Sequence, residues 1–329
     1  TNASYDGVRS VMGLPAGPDV TWDVDPDNCG DANQRRQADE DMATYAAYPN
    51  TGAVVDGLKC LPVHIGASDV AATTFNEESH GELLGHRLGG WFDSIVKFPI
   101  SLKDPKAAGF QVDRPIVVPF GFYASDDGSV EFDNLTRLMA VSLYAGQVSN
   151  WNMFSDAGAY SPVTLCLRHA GSGTAATLNA AVMRGDYPLV QTEIPQSDIL
   201  YILNIAPAIY FNKGSSDELK CVGQLTGTVG YADVDKCIAG CGGKYGSVKS
   251  LTYQGVAGNS ETIRKGQYDF WSAQWLYSNA SGDTDVVIDQ LAKFAAIGTN
   301  LPASKAPYWA AQNDMDWEKA TDFTFPKKK

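Results

Sequence analysis

The chain has 329 residues and a formal net charge of −13, from 25 Lys and Arg against 38 Asp and Glu. That length allows two lobes, and 44% hydrophobic with 19% charged residues is an ordinary globular composition. The acidic balance excludes a nucleic-acid partner, which needs a basic face, and an anionic membrane surface. A small anion stays compatible with it, because backbone N–H groups, hydroxyls and one arginine can hold such a ligand locally.

No run approaches the roughly 20 apolar residues of a membrane span. The longest candidate, YILNIAPAIYF at 201–211, is broken by Asn204 and Pro207 and reads as a buried strand or core segment. No basic, apolar signal segment opens the sequence, so Thr1 is expected to follow a removed leader or a cloning boundary. The cysteines (Cys29, Cys60, Cys166, Cys221, Cys237, Cys241) are even in number, as in the disulfides of an exported protein. The pairing stays open; Cys29 with Cys60, and a small loop within 221–241, are preferred. A zinc site is disfavoured, since Cys237 and Cys241 are spaced C-x3-C with no second well-spaced pair.

In chain order, the first fifty residues are polar and turn-rich, with a helix expected around 33–47. A turn and short helix then lead into the apolar strand LPVHIGA, which ends on Ser68 and Asp69. WFDSIVKFPISL and PIVVPFGFYAS read as strands, the second apolar on successive residues as in a sheet covered on both faces. FDNLTRLMAVSLYAGQVSNW carries Leu135, Leu138, Met139, Val141 and Leu143 at mostly helical spacing, with Gly146 as a stop. PVTLCLRHAGSGTAATLNAAVMR follows as strand, turn and helix. TVGYADV and SVKSLTYQGV read as strands, YDFWSAQWLYSN as strand or turn, DVVIDQLAKFAAIGT as helix, and the terminal KKK as a frayed tail. Strands alternating with helices imply parallel α/β sheets, whose sites lie at the carboxyl ends of strands.

Two strand ends fit that rule. In RHAGSGT, Gly171 and Gly173 let backbone approach a ligand, Ser172 and Thr174 supply hydroxyls, and Arg168 can fork two donors onto an oxyanion. The spacing is neither a P-loop nor a nucleophile elbow. At IGASD, the Asp69 carboxylate can accept a hydrogen bond from a protonated oxyanion and repel a deprotonated one, which separates hydrogen phosphate from sulfate. Each turn has a plainer alternative: a helix cap at Ser172 or Thr174 with Arg168 on a surface carboxylate, and Asp69 as an N-cap. With NTG at 50–52, three small-residue turns suited to an anion occur in one chain, and their conjunction favours an anion cavity.

Taken together, VHIGASDVA, RHAGSGTAATL, FDNLTRLMAVSLYAGQVSNWN and TVGYADV resemble, in order over about 45–300, the phosphate-binding proteins of bacterial ABC transporters and their secreted DING-type relatives. The resemblance implies a type II periplasmic-binding-protein fold: two α/β lobes joined by two crossovers, with a ligand cleft between them. Lobe 1 would comprise 1–116 and 236–329, lobe 2 would comprise 117–235, and the crossovers would fall near 114–120 and 230–245. It further implies Asp69 as the proton-accepting carboxylate, Arg168 as the cation, Ser172, Gly173 and Thr174 as hydroxyl and N–H donors, and Thr51 with Gly52 as a further hydroxyl turn. The implied ligand is inorganic phosphate or a similar oxyanion, the implied partner an ABC transporter permease, and the location periplasmic or extracellular. No cofactor, metal or catalytic residue is implied.

Two features depart from the family. Ala170 stands where the family has an aspartate, which leaves nothing adjacent to hold Arg168. The family's opening G-A-[GT] turn is not found, GLPAG at 13–17 being the nearest approach; a missing first strand would leave a sheet edge open to a strand of another subunit. These features support an alternative, an extracellular structural or appendage subunit with a degenerate site. A hydrolase ranks last, since no activated nucleophile is offered. Of the histidines His64, His80, His86 and His169, the pair in HGELLGH lies off one helical face and binds no metal on this reading; His169 could add charge beside Arg168. Trp271, Trp275 and Tyr277 are assigned to packing, and the sequons at Asn2, Asn134 and Asn279 matter only in a glycosylating source.

Overall fold

The computed structural model describes residues 4–14, 34–38, 58–75, 80–82, 97–99, 102–154, 161–168, 171–184, 189, 194, 196–212, 214–237, 241, 243–279 and 283–329. The architecture is mixed α/β. Its strands are β1 (Gln34–Ala38), β2 (Leu58–Pro62), β3 (Ile65–Ser68), β4 (His80–Glu82), β5 (Lys97–Pro99), β6 (Gln111–Ser125), β7 (Asn134–Leu135), β8 (Thr164–Arg168), β9 (Ala208–Asn212), β10 (Thr228–Asp233), β11 (Val248–Tyr253), β12 (Trp271–Ser278), β13 (Ala310–Ala311), β14 (Trp317–Glu318) and β15 (Lys327–Lys328). The helices are α1 (Ser4–Val11), α2 (Arg137–Tyr144), α3 (Gly173–Thr177), α4 (Ile199–Ile202), α5 (Ser215–Gln224), α6 (Ser260–Arg264) and α7 (Asp283–Ala295).

The main sheet runs β3-β12-β6-β10-β8-β9. Strand β6 is its axis. Residues 111–119 pair antiparallel with β12, and from Phe120 onward the partners are β10 and β11. The apolar run of β6 is buried from Val117 to Ser125, as a strand covered on both faces should be. Its Pro115 falls where the β12 register slips, the kind of irregularity that tolerates a residue without an N–H. Phe122 is the centre of an aromatic cluster, 5.0 Å from Phe270, 5.4 Å from Tyr253 and 5.8 Å from Tyr144 between ring centroids.

The strand directions fix where a site can form. Strands β10, β8 and β9 are mutually parallel and antiparallel to β6, so they end toward its middle. Strand β3 is antiparallel to β12 and therefore runs with β6, ending at Ser68 opposite Trp275, also near the middle. The carboxyl ends of strands from the two halves of the sheet thus face one another.

Helix α2 lies where its spacing predicts, capped by Thr136 and stopped at Gly146, although Leu138 points outward at 75% exposure. Other expectations need correction. Residues 34–38 of the helix expected around 33–47 form strand β1, because they ladder onto β2 with Arg36 opposite Cys60; local helical propensity yields to strand pairing. LPVHIGA is not one strand but the end of β2 and then β3. In YILNIAPAIYF only 208–211 is buried strand. Before it, Ile199–Ile202 is a short helix, and Ile202, Leu203 and Ile205 lie exposed around the left-handed turn at Asn204. The terminal lysines are not frayed: β15 pairs with β14. Trp271 and Tyr277 are buried as expected.

Two disulfides are described. Cys237–Cys241 is a small loop within 221–241, whereas Cys166–Cys221, which ties β8 to α5, joins a pair the spacing does not single out. The expected Cys29–Cys60 pair lies outside the described residues; of HGELLGH, His80–Glu82 form β4 and the rest, with His86, lies outside them.

Helix α1 packs against β3 with unusual closeness. Because Asn279 N–H donates to His64 O (3.3 Å), the ladder phase turns the N–H and C=O of Ala67 outward from β12. Gly7 of α1 sits on that outward edge, where a Cβ would collide with Ala67 O, and Gly66 would collide in turn with Gly7 O. The outer edge of β3 is thus faced by this chain's own helix α1. Gly7→Val should lower the unfolding free energy by roughly 1–3 kcal/mol through overpacking, seen as a reduced denaturation midpoint; an unchanged midpoint would mean that α1 does not depend on this contact.

Candidate functional site

A cavity of about 270 Å³ opens where the strand ends converge. Asp69, one residue beyond β3, and Arg168, the last residue of β8, both line it, with Ser172, Gly173 and Thr174 from the turn and first residues of α3. These are five of the residues singled out from sequence. Thr51, Gly52, His169 and Ala170 lie outside the described residues.

Ser172 combines the two readings of its turn. Its extended backbone makes it the N-cap of α3, its hydroxyl accepts from Ala175 N (3.4 Å), and it lines the cavity as well. Gly173 is required by space: a Cβ there would overlap Ser4 Oγ and come within 2.6 Å of Asp69 Cβ and 2.8 Å of Asp69 Oδ2. This contact presses the α3 turn directly against the Asp69 turn.

Asp69 is held by two residues, Ser4 and Gln274. Its backbone N–H donates to Ser4 Oγ (3.1 Å), and the side chains of Ser4 and Gln274 hydrogen bond to its carboxylate. Burial pushes the Asp69 carboxyl above its ordinary range; the Gln274 bond, the charge of Arg168 and the Ser4 bond oppose that rise. Ser4, the first residue of α1, thus brings the start of that helix to the site; it bears no likeness to the G-A-[GT] pattern.

Arg168 is 8% exposed, so its side chain is held inside the protein rather than out on the surface. Its Nε donates to Asn212 O (3.3 Å) and its Nη1 to Ser215 Oγ (2.8 Å), which anchors the guanidinium on the β9–α5 connection. With Ala170 offering no adjacent carboxylate, these anchors come from residues more than 40 positions away. Behind it, Arg168 N–H donates to Tyr231 Oη (3.1 Å), and Tyr231 N–H donates to Glu218 Oε1 (2.9 Å). Burial holds the Glu218 carboxyl well above the ordinary range, with the Arg168 charge opposing.

Sequence reasoning missed Ser4, Ser215, Asp233 and Gln274, which also line the cavity. Asp233 ends β10, so the strand-end rule that singled out Asp69 and Arg168 could have found it. Burial, then the charge of Asp69, push the Asp233 carboxyl up to about 6, while Lys236 Nζ at 3.3 Å works the other way. Nothing local marks Ser4 or Gln274; only the pairing of β12 with β3 and β6 brings Gln274 in.

No family model matches the chain, and no curated protein matches it. Among solved structures it is similar to a phosphate-binding protein from Stenotrophomonas maltophilia (TM-score 0.46, 11% identity, 73% of this chain and 71% of that one). It is similar also to a putative phosphate ABC transporter substrate-binding protein with bound phosphate from Clostridium perfringens (TM-score 0.45, 16% identity, 69% and 71%). A third is the periplasmic phosphate-binding protein PfluDING (TM-score 0.44, 11% identity, 74% of each chain). These are distant likenesses of shape.

A carboxyl whose folded value lies above its unfolded one, ordinarily near 3.8, binds its proton more tightly in the native state. For Asp233 the native state therefore loses stability as pH rises from about 4 to about 6, and the penalty is complete above that. Asp233→Asn should remove it, raising the unfolding free energy by on the order of 2 kcal/mol at pH 7.5 relative to wild type, with little gain at pH 4. Denaturant titrations at both pH values check this; a variant destabilised more at pH 7.5 than at pH 4 would show that the Lys236 pair outweighs burial.

Proposed function

We propose that the cavity binds a tetrahedral oxyanion, inorganic phosphate first among them, and that the chain is a binding protein rather than an enzyme. On this reading it works in the periplasm or outside the cell, delivers its ligand to an ABC transporter permease, and is built on the two-lobe type II plan with the boundaries given above. The observation that carries the reading is one cavity receiving Asp69 from one half of the sheet and Arg168 with the Ser172–Thr174 turn from the other. A cation and hydroxyls suit an oxyanion. A carboxylate beside them suits one that still carries a proton. The two disulfides fit an oxidising compartment.

The degenerate-subunit alternative drew on Ala170 and the unrecognised opening turn. Against it, Arg168 has other anchors in Asn212 and Ser215, and Ser4 reaches Asp69 from the chain's first described helix.

Calorimetric titration at neutral pH should give heat with phosphate and none with sulfate. Arg168→Ala should weaken phosphate binding about 100-fold or more, because the buried anion then lacks its charged donor. Tight binding by that variant would overturn the residue assignment. The absence of heat with either anion in the wild type would return the structural-subunit reading.

A further inference from the structure

We propose that Asp233 is a second acceptor carboxylate of this cavity, and that the cavity takes up the doubly protonated monoanion of its oxyanion, dihydrogen phosphate, in preference to the dianion. The inference rests on the oxyanion reading above and refines it.

Asp233 lines the cavity together with Asp69 but comes from the other half of the sheet. Its main chain is fixed by the ladder to Phe120 and by Tyr123 Oη, which donates to Asp233 O (3.0 Å). The charged groups around it come from several elements. Asp69 faces it from the turn after β3, and Arg168 enters the cavity from β8. Lys236, in the turn after β10, stands 3.3 Å from its carboxylate. Asp235 in the same turn is bonded to Lys305 and so carries its own cation. Tyr245 acts on Lys236 from the segment before β11.

Among the described residues lining the cavity, two carboxylates thus oppose one arginine, with Lys236 behind one of them. A dianion such as hydrogen phosphate has one proton to offer two acceptors, so one carboxylate would face a bare anionic oxygen at close range. Dihydrogen phosphate has two O–H donors, one for each carboxylate, and two oxygens left for Arg168 and the hydroxyls of Ser172 and Thr174. The carboxyls' own protonation sets the acid limit. Asp233 is lifted to about 6 by burial and the charge of Asp69, and Asp69 is lifted by burial. Below about pH 6 Asp233 carries its own proton and accepts less well, whereas above neutrality phosphate loses its second proton. Affinity should therefore peak slightly below neutral pH and fall on both sides.

The test is calorimetric titration of the wild-type chain with inorganic phosphate at pH 5, 6.5 and 8.5, each in two buffers of different ionisation enthalpy. We expect affinity for total phosphate at pH 8.5 at least about 10-fold weaker than at pH 6.5, with net uptake approaching one proton per phosphate bound at pH 8.5. Asp233→Asn should flatten the alkaline limb severalfold, since an amide can donate to the dianion. Affinity that holds or rises at pH 8.5 without proton uptake overturns the proposal, and so does an Asp233→Asn variant that keeps the wild-type pH profile. Should the variant fail to fold, absence of proton uptake by the wild type at pH 8.5 still overturns the proposal. No heat at any pH is a different failure: it removes the oxyanion reading itself.

Discussion

Strand β6 is paired along nearly its whole length, and each strand that reaches the cavity is hung from it directly or through one neighbour. Strands β10 and β12 pair with it; β8 is reached through β10 and β3 through β12. Because the partners change between Pro119 and Phe120, the strand ends of the two halves point at the same place. The buried aliphatic and aromatic run 117–125 makes this possible, since a strand covered on both faces can serve two cores at once. The site is a consequence of that one shared strand.

What fills the meeting point is an electrostatic compromise. Asp69 and Asp233 are both held above the ordinary carboxylate range by burial, and Arg168 and Lys236 only partly offset this. Such an arrangement costs the empty protein stability, which is common where binding groups are prepared for a partner. Covalent and close-packed contacts surround it. Cys166–Cys221 staples β8 to α5, so the strand that carries Arg168 and the helix that carries Ser215 and Glu218 move together. On the opposite side, the close seat of Gly7 on β3 keeps Ser4 against Asp69.

The balance between what could and could not be read from the sequence follows the range of the forces. The β6 run, the α2 periodicity with its Thr136 cap and Gly146 stop, and the strand-turn-helix around RHAGSGT are local patterns of burial, dihedral preference and capping, and each is where the residues themselves place it. The helix expected at 33–47 failed at 34–38 because pairing with β2 is non-local. The terminal lysines found β14 for the same reason.

Within the site the same division holds. The sequence determined Asp69 just past β3, Arg168 at the end of β8 and the small residues of Ser172–Thr174, since donors, acceptors and glycine space are properties of residue type. Tertiary structure alone decided that Asn212 and Ser215 hold Arg168, that Ser4 and Gln274 hold Asp69, and that Asp233 shares the cavity. Those contacts join residues from 44 to more than 200 positions apart, and only the order and direction of the strands in the sheet brings them within hydrogen-bonding reach.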